Sequence, residues 1–442
     1  MSTGYILGIF TISIVLMIML ISRFKVHAAF GILISSIILA IGLKTPWEEI
    51  EGLINQGFSG TIKSVGIVIF LGCVMGIVLE KTGAAQRITL TAIDIFGEKN
   101  IIWAIAVSSF ILGVPIWGDT VVILLIPIVS EIALKTNKSM MRLGPILYLG
   151  ALVTASLVPP TPGPVAAAGL LGLPVGEAII WGLIISAPSV ISSTLYLSKY
   201  KCDMVLPKDE FLNKSSSEID INLPSIKAAL LPIMVPLILI MINTGFNLAM
   251  PESSISKFFS FIGSPLAALL TGCILSLILT NEKWNSKLVL NDWVELGIKE
   301  AAMPIIVTGM GGALAIFIKE SGVADAIATI VAGTALPGVL VPIFISALIH
   351  IVTGSNSLAV MTGAALVEPM LATLGISPLA AFLACGTGAM MFKHANSSGF
   401  WVTVTMSNMN VKQGIKSVGV ATTVAGGVGA LITVILSLSG LI

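Results

Sequence analysis

Charge is what this sequence has least of. Only 10% of its 442 residues are Asp, Glu, Lys or Arg, while 56% are hydrophobic. Soluble chains carry about 25% charged residues. That shortage, with a mean hydropathy of +1.05, excludes a soluble fold and makes the chain an all-α polytopic membrane protein. The 23 Lys and Arg are scattered over connecting loops and form no basic face, which excludes a nucleic-acid partner. Histidine is nearly absent (His27, His350, His394), and the four cysteines (Cys73, Cys202, Cys273, Cys385) stand singly. Without Cys-x-x-Cys or His-x-x-x-His spacing, no metal or other cofactor is expected. Gly-x-Ser-x-Gly, His-Glu-x-x-His and the Walker lysine motif are also missing, so an enzyme or an ATP-driven pump is not expected. The first apolar run, 4–21, has no basic residue before it and Arg23 and Lys25 after it, which reads as a retained span rather than a cleaved leader.

What is present is a series of apolar runs of spanning length. A spanning helix needs about 20 apolar residues, and cytoplasmic loops collect Lys and Arg. Spans are expected near 4–21, 26–43, 60–80, 144–173, 177–198, 228–246, 259–280, 300–318, 375–408 and 417–440. The basic loop after the first run lies inside, the acidic loop 44–59 outside, and loops 81–100 and 281–299 inside. Segment 101–134 leaves from and returns to the same side, as a re-entrant hairpin does. Loop 199–227, with five lysines, is a cytoplasmic linker.

Residues 72–88 and 311–327 resemble one another. Gly72, Gly83, Ala85 and Ile88 fall on Gly311, Gly322, Ala324 and Ile327 at an offset of 239. The positive-inside pattern runs the two copies in opposite directions. The expected organisation is therefore a first inverted repeat over 1–198 and a second over 228–442. The first has a hairpin near 101–134 and a broken helix near 144–173. The second has a hairpin near 337–372 and a broken helix near 375–408. Each repeat holds five spans and one hairpin, and such duplicated cores bind substrate where the copies meet.

Four polar breaks interrupt the apolar runs. The first is Pro115, Trp117, Gly118 and Asp119, within the run from Gly113. The second is the proline cluster around Pro160, Thr161 and Gly163, which cannot continue a helix. The third is Gly354, Ser355, Asn356 and Ser357, and the fourth is Asn396, Ser397, Ser398 and Gly399. Unwound backbone survives in a bilayer only when buried in protein or lining a wet cavity. A helix restarting at mid-depth offers unpaired N–H groups that suit a carboxylate. Unwound carbonyls and hydroxyls suit a cation or a polyhydroxy substrate.

Asp119 is an intramembrane acid and is costly unless paired. It binds a coupling proton or orients the substrate. Lys393, beside the fourth break, could neutralise an anion, and His394 could carry a proton near neutral pH. Glu368 and Glu131 read as boundary acids.

Three stretches carry a family resemblance: Val158–Ala168 with its prolines, Gly113–Asp119 with Leu124–Pro127, and Phe392–Trp401, followed by Val411-Lys412-Gln413. Together they resemble the gluconate permease (gluconate:H⁺ symporter) family of the ion-transporter superfamily, over nearly the whole chain. This sequence departs from the family pattern at Trp117-Gly118, where Phe-Phe is frequent, and at Thr161, where His is frequent. The resemblance implies proton-coupled uptake of gluconate or a related small anionic hydroxy-carboxylate in the bacterial inner membrane. It implies a homodimer with a scaffold and an elevator-type transport domain, substrate contact at both hairpin tips and both broken helices, and proton coupling at Asp119 and His394. A sodium-coupled carboxylate or D-serine carrier on the same fold is the alternative, drawn from the hydroxyl-rich tip Ser355-Asn356-Ser357.

Overall fold

The computed structural model describes residues 2–209, 223–249, 254–320, 336–395 and 397–442. Among these the regular secondary structure is all helix, with no strand. Eight of the described helices are long and apolar enough to cross a membrane. Gly322, Ala324 and Ile327, the end of the second sequence copy, lie outside the described residues, as does Asn396.

The frame is a pair of long helices, Trp47–Lys81 and Val294–Glu320, which make the most extensive helix–helix contact of the molecule. Their crossing is set by glycines. A Cβ on Gly57 would lie 2.5 Å from the Gly312 carbonyl oxygen, and one on Gly312 would lie 2.0 Å from Thr61 Oγ1. Lipid provides no hydrophobic drive between helices, so close backbone approach through small residues supplies the attraction.

Both helices extend further than the apolar pattern suggests. The expected outer loop 44–59 is helical from Trp47 onward. Pro46 occupies the N-cap position, and Glu48 and Glu49 sit in the first turn, where negative charge is favoured by the helix dipole. At 35 residues this helix is about 50 Å long, against a hydrocarbon layer of about 30 Å, so its acidic end reaches water. The expected loop 281–299 is likewise helical from Leu288, through a π-helical stretch to Trp293 that runs into Val294–Glu320. The expected loop 81–100 holds the helix Ala84–Phe96, bent 113° from the run Glu98–Leu112 at Gly97. The span placed over 259–280 is broken at Gly263-Ser264.

Two helical hairpins and two interrupted helices complete the architecture. Arms Ile101–Leu112 and Gly118–Lys135 flank the first tip; Leu340–Thr353 and Asn356–Val367 flank the second. Met140–Leu157 breaks before Pro162–Leu170, and Pro378–Met390 breaks before Ser398–Met406. Element order recurs at the 239-residue spacing. Shifted by it, Ile101–Leu112 falls on Leu340–Thr353, Met140–Leu157 on Pro378–Met390, and Val175–Lys199 within Val411–Leu438.

Packing crosses between these sets. Gly118–Lys135 rests against Ser398–Met406, and Asn356–Val367 rests against Pro162–Leu170. The second crossing is tight: a Cβ on Gly163 would lie 3.3 Å from Ser357 Cα.

Candidate functional site

Each of the four breaks ends in a helix N-terminus. Helices starting at Gly118, Pro162, Asn356 and Ser398 have Trp117, Thr161, Ser355 and Ser397 as N-caps. Only Ser355 caps with its side chain, accepting from the Leu358 N–H. Gly354 makes the second tip possible: it holds φ +73°, a left-handed conformation that ends Leu340–Thr353 so the chain can turn back.

Two hairpin tips and the later broken helix meet around a cavity of about 460 Å³. The expected residues Trp117, Gly118, Asp119, Gly354, Ser355, Asn356, Ser357 and Ser398 line it. Asp119 accepts a 2.7 Å hydrogen bond from Ser398 Oγ, which joins the first hairpin to the later broken helix across 279 residues. Gly399 stands directly behind this contact. A Cβ there would lie 2.2 Å from the Tyr148 hydroxyl and 2.6 Å from Asp119 Oδ1.

Lys393 also lines the cavity and is only 3% exposed. Its ammonium donates to Ser397 Oγ at 3.0 Å and lies 5.8 Å from the centroid of the Tyr148 ring. No carboxylate forms an ion pair with it among the described residues. A cation this deep has one hydroxyl, the negative face of one ring and the longer-range attraction of Asp119 in the same cavity, with two ammonium donors still to place. An anion in the cavity supplies acceptors for them.

Asn356 ties the second tip to the earlier broken helix by donating from Nδ2 to Ser156 Oγ at 2.6 Å. Its Oδ1 is buried with no hydrogen-bond partner.

The other expected residues stand off the lining. The Thr161 hydroxyl is spent on its own break, donating to the carbonyls of Val158 (2.8 Å) and Ala155 (3.2 Å). Pro160 and Pro115 pack by their carbonyls on Gly72 and Gly76 of Trp47–Lys81, where a Cβ would come within 3.0 and 2.5 Å. Gly163 is a packing position against Ser357. Ser397 holds Lys393 rather than opening onto the cavity. His394 turns away: its Nε2 lies 3.0 Å from the Ile351 carbonyl oxygen, linking the fourth break to the second hairpin. His350, read as a core histidine, is buried with Nδ1 2.8 Å from the Met391 carbonyl oxygen. Glu368 lies 3.8 Å from Lys319 and Glu131 pairs with Lys135.

Six lining residues are not singled out by the sequence: Thr120 and Thr353 flank the hairpin tips, Leu152 and Ala155 are apolar, and the other two are Tyr148 and Glu300. Tyr148 lies inside an apolar run, and Glu300 in the segment read as loop and span start. Neither adjoins a break, so nothing in the local pattern marks them.

The arrangement is that of a multi-pass membrane permease: a helical frame, two helical hairpins and a polar cavity at their tips. The chain belongs to the GntP permease family, whose model matches residues 5–439. It is 32% identical to an uncharacterized permease of Haemophilus influenzae (97% of this chain, 91% of the relative). It is 29% identical to a gluconate permease of Pseudomonas aeruginosa (98% of each) and 29% identical to a high-affinity gluconate transporter of Escherichia coli (96% and 98%). Among solved structures the fold is similar to the YdaH transporter of Alcanivorax borkumensis, with a TM-score of 0.61 at 14% identity over 90% of each chain. It is also similar to MtrF of Neisseria gonorrhoeae, with a TM-score of 0.61 at 15% identity over 88% and 84%. The protein is thus a multi-pass transporter of the cell membrane and not an enzyme.

Proposed function

We propose that this permease takes up gluconate or a related small hydroxy-carboxylate together with a proton, by alternating access. The observation that carries the reading is Lys393: a buried cation without a carboxylate partner among the described residues, facing a polar cavity. The substrate carboxylate docks on its free donors, a charge-assisted contact among the stronger hydrogen bonds proteins make. The helix N-termini at Gly118, Asn356 and Ser398 add oriented N–H groups. Ser355, Ser357 and Ser398 serve the substrate hydroxyls, and Trp117 offers an apolar wall. Asp119 is the coupling group. Held by Ser398, it stands in the same cavity as the substrate anion, and protonation of Asp119 removes a like charge as that anion binds.

In this reading residues 1–198 and 228–442 are inverted repeats. The long pair Trp47–Lys81 and Val294–Glu320 belongs to a dimeric scaffold. The hairpins and broken helices move against it as one unit, since their packing already crosses between the repeats. The reading leaves His394 as a tether of the fourth break rather than a proton carrier.

A second reading is favoured by one observation: the orphaned Asn356 Oδ1 beside two serines is a donor set that suits sodium. Uptake of labelled gluconate into proteoliposomes separates the two. Accumulation on an inward proton gradient alone supports proton symport. Accumulation only on an inward sodium gradient assigns coupling to the second tip. No saturable uptake on either gradient refutes the substrate class.

A further inference from the structure

We propose that Glu300 is a specificity-determining residue that rejects substrates carrying a second carboxylate. The proposal rests on the reading of the cavity as a carboxylate site. The charged residues lining that cavity are one cation, Lys393, and two acids, Asp119 and Glu300. The two acids differ in their engagement. Asp119 is bonded to Ser398 and backed by Gly399. Glu300 forms no hydrogen bond or ion pair among the described residues and is exposed.

The two acids also differ in origin. Asp119 sits at a hairpin tip, whereas Glu300 comes from Val294–Glu320, one of the two frame helices. Its position is fixed by tight packing: a Cβ on neighbouring Gly297 would lie within 2.6–2.8 Å of Val74 on the other frame helix. Glu300 also borders a second, water-sized cavity of about 30 Å³, together with Trp117, Thr120, Cys73 and Glu80. It therefore stands where the main cavity continues toward the Glu80–Lys81 end of the frame helix Trp47–Lys81, away from Lys393, Ser355 and Ser357, which line the main cavity alone.

A substrate with one carboxylate spends it on Lys393 and reaches outward with hydroxyls, which Glu300 can accept from. A substrate with a carboxylate at each end finds no second lysine or arginine in the lining and presents its far charge to Glu300. Like-charge juxtaposition of this kind suppresses a wrong partner far more than it favours the right one.

The test uses the full-length protein in proteoliposomes. Labelled D-gluconate uptake is competed with D-glucarate, the same carbon chain with a second carboxylate, and with the glucarate monoamide, whose far end is neutral. In the native protein glucarate should compete at least about tenfold less well than the monoamide. In Glu300→Gln that gap should close to within about threefold, and Glu300→Asp should retain it. Glu300→Ser serves the same comparison should the Gln variant fail to assemble. Equal competition by glucarate and monoamide in the native protein overturns the proposal. So does a gap that survives in Glu300→Gln or Glu300→Ser. Absence of gluconate uptake by the native protein would instead strike at the carboxylate site itself, and the proposal would fall with it.

Discussion

Lys393 gives the sharpest single-residue expectation. Lys393→Gln keeps a donor near Ser397 but removes the charge. A hydrogen bond to a charged group contributes about 1.5–3 kcal/mol, so the gluconate KM should rise roughly 10- to 100-fold while the protein still reaches the membrane. An unchanged KM would remove Lys393 from substrate contact. Asp119→Asn keeps the Ser398 contact geometry yet cannot exchange a proton. It should abolish gradient-driven accumulation while leaving counterflow exchange measurable, and accumulation at the native level would dissociate Asp119 from coupling. Gly399→Ala probes the same acid from behind. The new methyl would need to share space with the Tyr148 hydroxyl and Asp119 Oδ1, so uptake should fall at least about tenfold, in line with the 1–3 kcal/mol cost of overpacking. Gly8→Ala, where nothing lies within 4 Å, is the matched control.

At the scale of elements, the breaks and the frame make separate demands. Pro160→Ala relaxes a break whose carbonyl seats on Gly72 of a frame helix. Substrate affinity should drop as helix extends toward the cavity; retained affinity would make the break a packing device only. Gly312→Leu attacks the frame crossing instead and should lower thermal stability in detergent by several degrees, whereas Gly52, with open space around it, should tolerate Leu.

The breaks were legible in the sequence because proline, glycine and serine clusters cannot hide in apolar runs. Pro159 to Pro164, Gly354 to Ser357 and Ser397 to Gly399 mark three of them, and all three fall at helix starts. Direction within a break was not legible. Lys393 and His394 are neighbours in a non-helical stretch, where no period assigns a face, and only the fold sends one to the cavity and the other to Ile351. Helix length was underestimated at Trp47 and Leu288 because polar helical turns outside the hydrocarbon read as loops. Tyr148 and Glu300 stayed hidden because they reach the cavity from within helical stretches, away from the polar breaks that mark the site.

For the whole molecule, alternating access makes one demand that a static pore does not: the same residue must be reachable from either side in turn. Ser357→Cys, in a background lacking the partly exposed Cys202 and Cys273, should react with an impermeant maleimide from one face or the other according to the gradient imposed, and gluconate should protect it. Labelling from a single face under every gradient would count against the mechanism.

The bond between Asp119 and Ser398 has a meaning for how the protein is made. At 5–20 residues per second, translation delivers the serine roughly 15–55 s after the acid it serves. Over that interval the first hairpin has its carboxylate without this hydroxyl. The site around the first tip is therefore incomplete until most of the chain has been made. The contact closes only when the last tenth of the chain arrives.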